Sequence, residues 1–325
     1  MRRVFATVLI TALLLAGCGE PAERKSTTDK VTYLTAFGAV GRDAFAWVAQ
    51  EKGYFREAGL DVTIQLGAAT SENLKVLAAG RAQFANLDLT GTWILAGKGQ
   101  YRDVRAIAAV HQQTLVSIVS LEGSGITQPK QLEGRKLGAA TGSVNQLLFP
   151  AYAKLAGVDA GKVEWVNAQP AQLPALLASG QVDALSTFLI GARGIEKAAG
   201  GKKTVILPYS KYVPELFGNG LIAPTSITTG QPDLARRFRD AALKGLSYTL
   251  EHPQEAAQIL KKAQPAADVT AAEGEIALMA PYVKPSGAID RQRVATALKT
   301  LERGGLIQPG LTPDSVVDFA LAPKA

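Results

Sequence analysis

The sequence predicts an α/β protein with two lobes and a mostly helical C-terminal region. Short β-branched runs alternate with helix-period segments from Val31 to Leu207, a pattern typical of sheets flanked by helices. The alternation comes in two runs on either side of the β-rich segment 114–121, which favours two parallel sheets over one. From Pro232 onward, apolar residues recur at helix period with Gly or Pro breaks between them.

Each predicted element follows from its own local pattern. β-branched and aromatic residues favour a strand at 31–35, and alternating apolar and polar residues favour another at 60–66. Asp43 is a suitable N-cap for a helix ending at Lys52, where Gly53 supplies a left-handed C-cap. Further strands are predicted from residue 84 and at 105–110, 114–121, 136–140, 163–166, 182–185, 204–207 and 221–223. Further helices are predicted at 55–58, 71–80, 129–133, 145–156, 171–179 and 189–199, and the C-terminal helices centre on Ala241, Ile259, Ile276, Ala297 and Val317.

The N-terminus has the pattern of an export signal that ends in a lipid-attachment cysteine. Arg2 and Arg3 precede an apolar run that is too short to span a bilayer. This run ends in Leu-Ala-Gly-Cys, which resembles the lipobox of bacterial lipoproteins. The resemblance implies cleavage before Cys18 and attachment of lipid to it, so that residues 1–17 are a signal peptide. The alternative is an ordinary secretory signal in which Cys18 has no special role.

Composition predicts an exported globular protein without disulfides. Residues 18–30 are rich in charged and small polar side chains and are predicted to be a flexible tether. Cys18 is the only cysteine, so apolar cores rather than disulfides must hold the fold. The formal charge of +7 is spread along the chain without basic clusters interleaved with aromatics, which argues against a nucleic-acid partner. We expect an extracytoplasmic protein anchored by lipid to the bacterial cell membrane.

Sequence motifs of catalysis and metal binding are missing, which favours a protein that is not an enzyme. The chain has no His-Glu-x-x-His motif, no phosphate-binding loop and no Gly-x-Ser-x-Gly elbow. A Ser-His-Asp arrangement using His111 or His252 stays open, without a motif to support it. We therefore expect no metal and no cofactor.

Four stretches resemble one family, the extracytoplasmic solute-binding proteins of nitrate, sulfonate, taurine and thiamine-precursor uptake. They are 50–62 (QEKGYFREAGLDV), 77–85 (LAAGRAQFA), 132–138 (LEGRKLG) and 176–184 (LLASGQVDA). The resemblance covers 31–263 and implies a two-lobed, Venus-flytrap fold of the periplasmic-binding-protein type. It places lobe 1 at 31–116 and 224–325, lobe 2 at 121–217, and hinges near 116–120 and 218–223.

The resemblance also implies a function and partners. Members of this family capture a small molecule between their lobes and deliver it to the permease and ATPase of an ABC importer. The protein is expected to be a monomer that closes by hinge bending. Aromatic residues near the predicted cleft favour a heteroaromatic ligand, such as a thiamine-precursor pyrimidine. The alternatives are a binder of sulfonate, taurine or nitrate, and an exported enzyme on the same scaffold. Relatives in the pyrimidine branch often carry histidine where this chain has Asp43, which leaves the ligand open.

Candidate ligand contacts lie at turns that follow strands, because ligands of open α/β sheets bind beyond the carboxyl ends of strands. These turns offer stacking rings, charged side chains, hydroxyls and free backbone N–H groups at helix starts. Helix capping is the alternative role for Asp43, for Ser143 and for the polar residues of the second turn. The predicted contacts are Phe37, Gly38, Arg42 and Asp43; Asn86, Asp88 and Thr90; Thr141, Gly142 and Ser143; Thr187 and Phe188; and, at the second crossing between lobes, Phe217 and Asn219.

Overall fold

A computed structural model of the protein describes residues 28–325. The predicted signal peptide, the lipid site at Cys18 and most of the predicted tether lie outside the described residues. None of the helices in 28–325 is long and apolar enough to cross a membrane.

The described residues form two five-stranded sheets, as the two runs of alternation predict. The strands are β1 (Asp29–Leu34), β2 (Leu60–Gln65), β3 (Phe84–Asp88), β4 (Val104–Ala109), β5 (Val116–Leu121), β6 (Lys136–Ala139), β7 (Glu164–Asn167), β8 (Ala184–Phe188), β9 (Thr204–Pro208) and β10 (Asn219–Pro224). The first sheet has the order β2-β1-β3-β10-β4 and the second has the order β7-β6-β8-β5-β9. All ten predicted strands are present, with ends displaced by a few residues.

Helices cover the sheets and build the C-terminal region. They are α1 (Ala44–Glu51), α2 (Tyr54–Glu57), α3 (Thr70–Ala78), α4 (Leu89–Gly97), α5 (Val144–Leu147), α6 (Phe149–Leu155), α7 (Leu173–Ala178), α8 (Ala192–Ala198), α9 (Thr225–Gly230), α10 (Pro232–Glu251), α11 (Pro253–Ala263), α12 (Val269–Met279), α13 (Arg291–Arg303) and α14 (Pro313–Val316). All five predicted C-terminal helices are present, but the one centred on Val317 is displaced to α14, which ends at Val316. Val317 itself forms a bridge with Ala106 of β4.

Each sheet is mixed rather than parallel, which corrects the sequence-based expectation. β1 pairs in parallel with β2 and β3, whereas β10 runs antiparallel to both β3 and β4. In the second sheet β6 pairs in parallel with β7 and β8, whereas β5 runs antiparallel to β8 and β9. The antiparallel strand of each sheet is the one that follows a crossing from the other sheet.

The segments predicted as hinges are themselves largely these antiparallel strands. The chain passes between sheets at 110–115 and 209–218, and the two passages are hydrogen-bonded side by side. Thr114 N donates to Leu216 O at 2.9 Å, and His111 N donates to Asn219 O at 2.8 Å. Hinge motion here stays a prediction.

Apolar packing holds the helices against the sheets and the two lobes against each other. Phe238 of α10 stacks on Phe84 of β3 with a centroid separation of 3.9 Å and an interplanar angle of 3°. On the cleft side, Leu87 and Trp93 belong to one core together with Val144 from the second sheet's helices. A Cβ placed on Gly91 of α4 would lie 2.9 Å from Val144 Cβ, so the two lobes are in direct contact.

Candidate ligand-binding site

Two cavities lie between the sheets at the carboxyl ends of β1, β3, β6 and β8. The inner cavity has a volume of about 10 Å³ and is large enough for one water-sized group. It is lined by Ala36, Phe37, Arg42, Thr70, Leu87, Asp88, Ser143, Val144, Phe188 and Asn219. The outer cavity has a volume of about 510 Å³ and shares Phe37, Arg42 and Phe188 with the inner one.

Arg42 is a buried cation whose side chain donates no hydrogen bond to any residue of the described chain. It lies in a 3₁₀ turn, Gly41–Asp43, and only 2% of it is exposed. Its Nε atom lies 3.5 Å from Asp43 Oδ2 in an ion pair and has no hydrogen-bond partner. A guanidinium carries five N–H donors, and leaving them unpaired away from water is costly. The site can therefore bind a group with acceptor atoms.

Two phenylalanine rings from different sheets flank this guanidinium. Its Cζ atom lies 4.6 Å from the ring centroid of Phe188, the last residue of β8, and 5.9 Å from that of Phe37. The two rings are 6.0 Å apart and edge-to-face, with an interplanar angle of 77°. Both rings are half-buried and line both cavities. A flat ligand in contact with Arg42 would have an aromatic face available from each lobe.

Asp43 points away from the cavities, and its predicted capping role is wrong. Its carboxylate makes no capping hydrogen bond to α1. Oδ1 instead accepts from Ala36 N at 3.1 Å and from Asn86 Nδ2 at 2.8 Å. Burial raises the pKa of Asp43, while the Arg42 charge and these hydrogen bonds oppose the rise. Asp43 thus anchors the turn that carries Arg42 and partly neutralises its charge.

Asp88 caps a helix and also lines the inner cavity. It is the last residue of β3, and its Oδ1 caps α4 by accepting from Gly91 N at 2.8 Å. Its Oδ2 is buried without a hydrogen-bond partner in the described chain, and the residue lines the inner cavity. Burial raises the pKa of Asp88 to about 7, against the lowering effects of the Gly91 hydrogen bond and the Arg42 charge.

Asn219 and Ser143 complete the polar wall of the inner cavity. Asn219 is paired opposite Asp88 in the register of β10 and β3. Its Nδ2 and the Ser143 hydroxyl are buried without hydrogen-bond partners among residues 28–325. Ser143 stands before α5 but does not cap it, so the capping alternative is wrong for this residue. The inner cavity thus combines donors from Arg42 and Asn219, a hydroxyl, and a carboxyl oxygen.

The remaining predicted contacts divide between the outer openings and the packed core. Gly38 and Thr187 line the outer cavity, and Thr141 and Gly142 line a neighbouring opening of about 580 Å³. Asn86, Thr90 and Phe217 line none of these spaces. Asn86 binds Asp43, and Thr90 Oγ1 donates to Phe217 O at 2.8 Å. The Phe217 ring packs against Trp93 in an edge-to-face contact at 5.7 Å.

Glu275 is a site residue that the sequence did not reveal. It lies on α12 and lines the outer cavity, and its Oε2 accepts from Arg42 N at 3.4 Å. Burial raises the pKa of Glu275 to about 7, while the Arg42 charge and backbone N–H groups oppose the rise. Gly41 makes this approach of α12 feasible, because a Cβ there would collide with the carbonyl of Ala272. No local sequence pattern in a C-terminal helix indicates such a contact.

His111 is a buried, neutral side chain that contacts the site residue Asn219. It lies at the passage between the sheets, and its Nδ1 accepts from Asn219 N at 3.3 Å. Burial is the main cause that lowers the pKa of His111 to about 3, with a smaller contribution from the Arg42 charge. His252 is exposed beside Tyr248, far along the chain. Among residues 28–325, no cluster of three His, Cys, Asp or Glu side chains is arranged to hold a metal ion.

Residues 43–256 match the model of the NMT1/THI5-like family. The matched segment includes Asp88, Phe188 and Asn219 of the site, whereas Arg42 and Glu275 lie outside it. The chain belongs to the NMT1/THI5-like family.

Sequence relatives within the NMT1/THI5-like family include a binding protein and enzymes. The formylaminopyrimidine-binding protein of Halalkalibacterium halodurans is 27% identical over 256 residues, which cover 78% of this chain and 77% of the relative. A 4-amino-5-hydroxymethyl-2-methylpyrimidine phosphate synthase of Aspergillus parasiticus is 32% identical over 113 residues, only 34% of this chain and 32% of the synthase.

Solved structures show the same fold as this NMT1/THI5-like chain. The alkanesulfonate-binding protein SsuA of Xanthomonas axonopodis pv. citri, bound to MOPS, has a TM-score of 0.70 and 14% identity, with coverage of 91% of this chain and 98% of SsuA. The ligand-binding component of an ABC-type import system of Staphylococcus aureus has a TM-score of 0.69 and 14% identity, with coverage of 90% and 97%. These likenesses confirm the predicted two-lobed periplasmic-binding-protein fold with a helical C-terminal region.

Proposed function

We propose that this protein is the extracytoplasmic solute-binding component of an ABC importer, which encloses one small molecule between its lobes. The observation that carries the proposal is the buried guanidinium of Arg42, which faces the cleft between aromatic rings from both lobes without donating to any described residue. A lipid anchor at Cys18, a monomeric state, and the lobes and hinges stated above complete the proposal.

The favoured ligand is a nearly flat heteroaromatic molecule that carries both acceptor and donor atoms. Arg42 and Asn219 supply N–H donors, Ser143 supplies a hydroxyl, and Asp88 Oδ2 accepts a hydrogen bond from the ligand. Ring nitrogens and an exocyclic amine satisfy this combination, and the rings of Phe37 and Phe188 add stacking. The name of the Halalkalibacterium halodurans relative, a formylaminopyrimidine-binding protein, agrees with this chemistry.

A sulfonate or another permanent anion is the second candidate, favoured by the Arg42 cation alone. The carboxyl groups around Arg42 argue against it. Asp43 is paired with the guanidinium, Asp88 lines the inner cavity and Glu275 lines the outer one. Burial raises the pKa of Asp88 and of Glu275 to about 7, so both are partly ionised at neutral pH, and this negative charge offsets the attraction of Arg42 for an anion. The heteroaromatic ligand is therefore preferred over sulfonate, taurine and nitrate.

A ligand screen with recovery of the ligand tests the proposal. The purified protein is heated with a formylaminopyrimidine, 4-amino-5-hydroxymethyl-2-methylpyrimidine, taurine, an alkanesulfonate or nitrate. A ligand at 100 times its dissociation constant should stabilise the protein by about 2.7 kcal/mol. We expect stabilisation by a pyrimidine, with one equivalent recovered unchanged by mass spectrometry. Conversion of the pyrimidine would instead establish the enzyme alternative, and no stabilisation by any compound would contradict the proposed function.

Phe188→Ala should weaken pyrimidine binding by about tenfold or more, because a stacked aromatic face contributes roughly 0.5–1.5 kcal/mol beyond its buried area. The half-buried ring bounds two cavities, so its removal should change the unfolding temperature little. Isothermal calorimetry measures the affinity. Phe319→Ala is a matched control. The half-buried ring of Phe319 lies outside the cleft, and the Cζ atom of Arg291 is 4.0 Å from its centroid. Equal affinity losses in both variants would contradict a stacking role for Phe188.

A further inference from the structure

The outer cavity between the lobes is mostly apolar. Leu173, Ile190 and Ile195 contribute from the second lobe, and Val40 and Ala68 contribute from the first. Its volume of about 510 Å³ falls within the range of pockets that hold drug-sized ligands, roughly 300–1,000 Å³. A single heteroaromatic ring occupies only part of such a space. The apolar side chains that line the rest are poorly hydrated.

Arg42, Phe37 and Phe188 form the boundary between the outer and inner cavities, since all three line both. The inner cavity holds only one water-sized group, so a ring that binds Arg42 and stacks on these phenylalanines lies in the outer cavity and fills only part of it. We propose that the physiological ligand carries an apolar alkyl or aryl substituent beyond its hydrogen-bonding ring, and that the outer cavity holds this substituent. The inference rests on the proposed function and specifies its ligand class.

The charges around the outer cavity limit the substituent further. Arg42 and Glu275 are the charged residues that line it, and both lie at the end next to the ring site. The other lining residues are uncharged: Leu173, Pro174 and Ile195 are apolar, and the polar side chains are those of Gln169 and Thr187. Burying an unpaired charge there would be strongly unfavourable. The substituent is therefore uncharged, and a phosphorylated ligand does not fit.

Gly194 allows the outer cavity to be filled without disturbing the fold. It lies in α8 and lines the cavity, and a Cβ built on it meets no atom within 4 Å. Leucine is also a better helix former than glycine, so Gly194→Leu should fold normally. Gly230, at the end of α9, has the same open surroundings but lies outside the cavity. Gly230→Leu is therefore the matched control.

The experiment compares two probes by calorimetry, 4-amino-2-methylpyrimidine and its 5-butyl derivative. In the unmodified protein the butyl compound should bind more tightly by about fourfold for each methylene that is buried. Gly194→Leu should weaken the butyl compound about tenfold or more and leave the unsubstituted ring within about threefold, because only the butyl group needs the filled space. Gly230→Leu should change neither affinity.

Three outcomes would overturn the inference. Equal affinity of the two probes for the unmodified protein would overturn it while leaving the proposed function intact. Equal loss of both probes in Gly194→Leu would do the same, because the outer cavity would then not distinguish them. Failure of both probes, together with failure of every compound in the ligand screen, would overturn the proposed function and the inference with it.

Discussion

Arg42→Met is expected to lower ligand affinity by about 100-fold or more and to lower the stability of the folded protein as well. Hydrogen bonds to charged groups contribute roughly 1.5–3 kcal/mol each, so the loss of two of them accounts for this factor. The folded protein loses the buried ion pair with Asp43, and removing one member of such a pair costs about 3–5 kcal/mol. Asp43 keeps its hydrogen bonds from Ala36 and Asn86. Calorimetry and thermal unfolding measure the two quantities.

Arg293→Met should leave ligand affinity unchanged and is the matched control. The Arg293 guanidinium also lies on a phenylalanine ring, 4.4 Å from the centroid of Phe217. Unlike Arg42, it donates to the backbone carbonyls of Glu215, Pro214 and Gln112. Its replacement should lower stability by about 1–3 kcal/mol because those carbonyls lose their partner. Unchanged ligand affinity in Arg42→Met would contradict the assigned role of this residue.

Asp88→Asn is expected to change how stability depends on pH in the ligand-free protein. The pKa of Asp88 is about 7 in the folded state, against about 3.9 in an unfolded chain. The folded state therefore binds more protons between these values, and the free energy of unfolding of the natural protein falls as pH rises from about 4 to about 7. Glu275, with a pKa of about 7, acts in the same direction. Replacement by asparagine removes the contribution of Asp88 to this fall in the free energy of unfolding, which is on the order of a few kcal/mol at pH 8.

Denaturant unfolding at pH 5 and pH 8 measures this effect. Asparagine caps helices as well as aspartate does, so the cap on α4 should be retained. Asp290→Asn is a suitable control, because Asp290 is exposed and its Oδ1 caps α13 by accepting from Arg293 N. This control should retain the pH dependence of the natural protein. An Asp88→Asn variant with that same pH dependence would show that the Asp88 carboxyl is not desolvated.

Strand positions could be predicted because each depends on a local pattern. The apolar run ending at Leu207 and the alternation at 60–66 need no distant partner to be recognised. Strand direction could not be predicted in this way, since β5 and β10 run antiparallel because the chain crosses between sheets. The single helix expected at 145–156 is divided into α5 and α6, with Pro150 in the first turn of α6. A proline there cannot donate the hydrogen bond that would continue α5.

Site residues could be predicted only where they lie in turns next to individual strands. Phe37, Arg42, Asp88, Ser143, Phe188 and Asn219 each follow or flank a predicted strand, and the fold places all six around one cavity. Arg42 lines the cavity, whereas Asp43 accepts a hydrogen bond from Asn86, which lies on another strand. Glu275 reaches the site through the packing of α12 against Gly41, a contact between residues more than two hundred positions apart. Such contacts follow from tertiary structure and leave no local pattern.

A crystal structure of the protein with a bound pyrimidine ligand tests the central claim most directly. We expect one molecule between the lobes, with the rings of Phe37 and Phe188 against it. An acceptor atom of the ligand should lie within roughly 2.7–3.2 Å of the Arg42 guanidinium. A ligand bound elsewhere, for example in the surface groove near Tyr101 and Ile227, with Arg42 making no contact to it, would contradict the assignment of the site.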